Sequence, residues 1–96
     1  MAKLKYRARV LLGDQELVLL VPVPSETTVG ELVAEVLTRA SRKGVLGSAC
    51  ELSVDGASLD ELDSLEDVVE VEQTIDARLT PPQGSGWFMG DLAALV

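Results

Sequence analysis

The chain has 96 residues, 47% of them hydrophobic, with 16 carboxylates against 8 Lys and Arg and a formal net charge of −8. That length suits one small domain with a thin core. A single cysteine and no histidine exclude a disulfide, a Cys/His zinc set and a His-based triad, so Cys50 reads as a packed thiol, compatible with a reducing cytoplasm.

The charge is unevenly placed. Seven of the eight basic groups lie in residues 1–48, and eleven of the sixteen acidic groups in residues 49–96. Phosphate binding needs clustered Lys and Arg, so nucleic acid is excluded as a partner for most of this surface, and a basic protein surface fits it better. The longest apolar run, Leu17 to Val23, is interrupted by Pro22 and falls far short of the ~20 residues of a membrane helix. The basic N-terminus, with Lys3, Lys5, Arg7 and Arg9, is not followed by the apolar stretch of an export signal. The expectation is a cytoplasmic protein without a membrane partner.

Residues 4–12 alternate, with Leu4, Tyr6, Ala8, Val10 and Leu12 on one face and Lys5, Arg7, Arg9 and Leu11 on the other, the period of a half-buried strand. Gly13-Asp14 marks a turn, and a second alternation places Leu17, Leu19, Val21 and Val23 inward, predicting a hairpin. Pro22 and Pro24 are expected to end the second strand, and Pro22 to put it at a sheet edge. Thr28-Val-Gly-Glu31 has the form of a capping box. From it runs an apolar stripe, Val29, Leu32, Val33, Val36, Leu37 and Ala40, that predicts an amphipathic helix. Arg39, Arg42 and Lys43 suit its dipole, and Gly44 a left-handed cap. Glu51 to Val54 and Ala57 to Leu59 read as short strands around an Asp55-Gly56 turn. The acidic stretch from Asp60 to Val69 is expected to form a loop with a helical turn, anchored by Leu62, Leu65, Val68 and Val69. Gln73 to Leu79 alternates again, with Ile75, Ala77 and Leu79 inward.

Strand, strand, helix, strand, strand, strand is the order of a β-grasp, and the residues resemble ubiquitin over positions 4 to 80. Pro24-Ser-Glu-Thr-Thr-Val29 resembles its helix entry, Leu52-Ser-Val-Asp-Gly56 with Leu59 resembles its third strand and turn, and Leu65, Val69, Ile75, Ala77 and Leu79 fall on positions that fill its core. The resemblance implies an α+β fold, a mixed sheet with one helix packed across it, in a domain of residues 1–80 followed by a C-terminal tail, 81–96. It also places Ser53, Asp76 and Arg78 where ubiquitin carries the apolar patch its receptors read. Receptors of that kind are therefore not expected to bind, for want of partners for Asp76 and Arg78. The outward residues of the first hairpin, Arg7, Arg9, Val18 and Leu20 with Lys5 and Leu11, form the alternative surface, for a partner or for the protein's own tail.

The tail holds the only Trp and the only Phe of the chain, in the run Trp87-Phe88-Met89-Gly90, behind a Pro-Pro-Gln-Gly-Ser-Gly linker. Cores normally take aromatics first, yet residues 1–79 have Tyr6 alone. Conjugated ubiquitin-like proteins work through a terminal glycine carboxylate, and here the candidates are Gly84, Gly86 and Gly90. Counting from the last strand favours Gly84. The aromatic neighbours favour Gly90, because Trp87, Phe88 and Met89 suit a cleft that holds an extended peptide. Release of Asp91-Leu-Ala-Ala-Leu-Val96 then leaves a single-glycine end.

The resemblance implies a protein modifier rather than an enzyme, like those of bacterial ubiquitin-like conjugation operons, several of them antiviral. Its partners are then a processing protease, an activating (E1-like) enzyme, a conjugating (E2-like) enzyme and target proteins. It holds no cofactor of its own, the ATP being used by the activating enzyme. The alternative is a non-conjugated ubiquitin-like assembly module, similar to those of type VII secretion, with Trp87 and Phe88 as a docking peptide.

Overall fold

The computed structural model describes residues 3–82. Strand β1 (Lys3–Leu12) turns at Gly13-Asp14 into β2 (Gln15–Pro24), and helix α1 (Val29–Arg42) comes next. Then come β3 (Ala49–Val54), β4 (Ala57–Ser58), a one-turn helix α2 (Leu65–Val68) and β5 (Thr74–Thr80). The strands form one mixed sheet in the order β2-β1-β5-β3-β4, with β1 and β5 parallel at its centre.

Alternation fixes which face is buried. Tyr6, Ala8 and Val10 of β1, Leu19, Val21 and Val23 of β2, Leu52 and Val54 of β3, and Ile75, Ala77 and Leu79 of β5 all point to the helix side. Val29, Leu32, Val36 and Ala40 of α1 close over them, with Val33 and Leu37 packed at the margin. Each fully buried Val or Leu contributes about 1.5–3 kcal/mol, so this one interface dominates stability. Tyr6 is the aromatic of that core, 1% exposed, and its hydroxyl makes no hydrogen bond among the described residues. Burial, with Glu66 and Glu70 nearby, raises its pKa above the ordinary tyrosine value.

Two expectations need correction. Pro22 does not end the second strand: β2 continues to Pro24, and Pro22 lies opposite Lys5 in the ladder. An edge strand tolerates this because one of its sides needs no partner. Leu62 is no anchor, being 89% exposed. The Asp60 carboxylate accepts the Leu62 amide at 2.9 Å in a local turn, which leaves the side chain in solvent.

That acidic segment instead closes the start of α1. Thr28 and Glu31 form the predicted capping box, the Thr28 hydroxyl accepting the Glu31 amide at 3.2 Å and the Glu31 carboxylate accepting the Thr28 amide at 3.0 Å. The next two amides, Val29 and Gly30, donate to the carbonyls of Asp63 and Glu61, each at 3.0 Å. All the donors a helix start leaves over are thereby satisfied. The helix ends in a Schellman motif: the Val45 amide donates to Ala40 and the Gly44 amide to Ser41, with Gly44 at φ 88°, where a side chain is strained. Asp55 and Gly56 both have positive φ, as a type I′ hairpin requires.

Candidate protein-interaction surface

On the sheet face away from α1, pairing sets the side chains in rows. Val18 lies opposite Arg9, which lies beside Asp76, which lies opposite Ser53. Leu20 is opposite Arg7, and Leu11 lies between Glu16 and Arg78. The fold thus sets Arg7, Arg9, Val18 and Leu20, with Lys5 and Leu11, on one face as the sequence predicts, with Val18 54% and Leu20 58% exposed. Asp76 is not without a partner: Arg9 Nε donates to its Oδ1 at 3.1 Å, a half-exposed pair that contributes no more than about 1 kcal/mol. The centre of this face is polar and internally paired, and its apolar part lies at the β2 margin.

β2 is also an open edge. A two-residue turn makes Leu12 and Gln15 a hydrogen-bonded pair, and the ladder then alternates. Leu17, Leu19 and Val21 therefore bond to β1, whereas the amides of Glu16, Val18 and Leu20 face outward. Pro22 falls at the next outward position, where its missing N–H costs nothing. Beside this edge lies the end of α1. Val18, Leu19 and Leu20 with Arg39, Arg42 and Lys43 line a groove of about 330 Å³. Arg39 donates to Glu35 at 2.6 Å, while Arg42 and Lys43 form no ion pair among the described residues. In the sequence these three cations only complement the helix dipole. Their position against β2 is a product of the crossing of helix and sheet, which periodicity does not report.

The tail leaves from the same end of the molecule. The Thr80 carbonyl accepts the Ser48 amide at 2.8 Å, and the Pro81 carbonyl accepts the Ser48 hydroxyl at 3.2 Å. Gly47 lies so close beneath Leu79 that an added Cβ would meet its Cδ2 at 2.8 Å. Next to it Cys50 is half-buried, and burial, then the neighbouring Glu51, push its thiol up to about 11. A thiol so held is a poor nucleophile near neutral pH, in keeping with a packing role. Among the described residues no cluster of potential ligands could hold a metal ion, and no helix is long and apolar enough to cross a membrane. Gly84, Gly86, Trp87, Phe88, Met89 and Gly90 lie outside the described residues.

No protein-family model matches the chain, and no curated protein matches it either. Among solved structures, it is similar to the ubiquitin of Caldiarchaeum subterraneum, at 17% identity and a TM-score of 0.61, over 83% of this chain and 99% of that one. The chain has the ubiquitin-like β-grasp fold. A protein designed by computation on the template of human erythrocytic ubiquitin is similar at 27% identity and a TM-score of 0.56, over 84% of this chain and 99% of that one. A structure described as molecular mimicry of SUMO that promotes DNA repair is similar at 16% identity and 0.59, over 80% and 94%.

Proposed function

We propose that this chain is a protein modifier: a ubiquitin-like body carrying a tail whose glycine carboxylate is the working end. The observation that supports this reading most is the junction at Thr80. The β-grasp closes with β5 at that residue, and the sequence continues as a Pro/Gly linker with Gly84, Gly86 and Gly90 and the Trp87-Phe88-Met89 run. A cleft that binds an extended peptide gains affinity from such side chains and needs a residue without a side chain at the reacting carbonyl. In this reading a protease cleaves after Gly90 and releases Asp91 to Val96. An activating enzyme then adenylates the Gly90 carboxylate, expelling pyrophosphate, and its cysteine thiolate displaces AMP to form a thioester. A conjugating enzyme passes the acyl group to an amine or hydroxyl of the target protein. The chain is a substrate throughout, and its acidic second half steers it toward basic enzyme surfaces. The proposed setting is a bacterial conjugation operon of the antiviral kind. Intact mass of the chain co-produced with a candidate processing protease should show loss of the six residues 91–96, and a full-length mass with active protease would overturn cleavage at Gly90.

The exposed Val18 and Leu20, beside Arg42 and Lys43 with no ion pair among the described residues, favour a second reading, a non-conjugated ubiquitin-like binding module. It predicts full function from a chain in which Gly84, Gly86 and Gly90 are all replaced by alanine.

A further inference from the structure

We infer that residues 86–92 of this chain dock as a sixth strand along the open edge of β2, running parallel to it, with Asp91 against Arg42 and Lys43. This does not rest on the modifier reading, since docking needs neither cleavage nor conjugation.

Four observations lead to it. The outward amides of Glu16, Val18 and Leu20 have no strand partner among the described residues, and Pro22 and Pro24 block only the far half of the edge. The tail starts at the right end: β5 is parallel to β1, so Thr80 lies near the Gly13-Asp14 turn from which β2 departs. From the β5 column to a strand added beyond β2 is three strand spacings, ~14 Å. The six steps from Thr80 to Gly86 span up to ~20 Å. Next, the charges match. The groove offers two cations that form no ion pair among the described residues, and the tail brings Asp91. In an extended strand Phe88 and Leu92 share one face, for Val18 and Leu20, while Trp87, Met89 and Asp91 share the other, for the helix end. Finally, a second copy is a poorer occupant of this edge, because two-fold pairing of β2 with β2 sets Arg39, Arg42 and Lys43 of one chain near those of the other.

Amide hydrogen exchange on the full chain tests this, with Trp87 fluorescence quenching as a second reading of the same contact. Docking of roughly nine tails in ten slows exchange at Val18 and Leu20 about tenfold relative to a Trp87→Gly, Phe88→Gly chain, and shields Trp87 from acrylamide. The Arg42→Glu, Lys43→Glu variant, altered only at the exposed groove rim, should lose both effects. The inference is overturned if Val18 and Leu20 exchange equally fast with and without the aromatics, or if the charge reversal changes nothing. Protection that grows with protein concentration also overturns it, marking the tail of a second copy.

Discussion

The two ends of helix α1 are built in opposite ways. At its start every spare backbone donor is satisfied, by the Thr28–Glu31 box and by the carbonyls of Glu61 and Asp63, and Leu65 plugs the segment into the core. At its finish the backbone is closed by the Schellman motif, yet Arg42 and Lys43 have no ion pair among the described residues, an open strand edge lies beside them, and the tail leaves close by. The first end holds the domain together. The second leaves cations and a strand edge exposed among the described residues.

The largest expected effect is at the closed end. Leu65→Ala removes a side chain that is 1% exposed and should cost about 2–5 kcal/mol in a denaturant melt, because the α2 turn loses its only fully buried anchor. Gly47→Ala tests how tightly the tail exit is packed. Its Cβ meets Leu79, itself buried, so a loss of about 1–3 kcal/mol is expected, with a shift of the Ser48–Thr80 contact seen as faster exchange of the Ser48 amide. Thr28→Ala removes one capping acceptor and should cost about 1 kcal/mol, less than Leu65→Ala, since the Asp63 and Glu61 carbonyls still serve the neighbouring amides.

Much of this architecture is legible in the chain. The capping box, the helical stripe, the Asp55-Gly56 turn and the alternation of β1, β2 and β5 are local patterns, each with one physical meaning, and they agree with one another. Pro22 signals an edge strand correctly because its missing donor is tolerable only there. Its role as a strand end is misread because sequence alone does not say whether the N–H it lacks faces a partner. Leu62 is misread for a related reason: hydrophobicity says what a residue prefers, whereas the Asp60 turn dictates where its backbone points. The Arg9–Asp76 pair and the cations beside β2 join residues far apart in sequence, so only the fold reveals them.

A smaller effect concerns pH at the open end. Burial holds the Cys50 thiol of the folded chain up at about 11, against an ordinary 9.0. Between those values the folded state keeps a proton that the unfolded chain releases. Stability from this group is therefore whole below about pH 9 and is lost as pH rises toward 11. Melting temperatures across that window should fall less steeply in Cys50→Ala than in the parent chain, and parallel slopes would show that the thiol is not held as described.

The proposed role, with the body a carrier and the tail glycine the working end, is checked by incubating a chain ending at Gly90 with ATP and a candidate activating enzyme and resolving the products without reducing agent. A covalent adduct that disappears on reduction is expected, formed by the Gly90 end and not by the chain ending at Val96. Absence of any such adduct from chains ending at Gly84, Gly86 and Gly90, with an enzyme active on its own substrate, would contradict it.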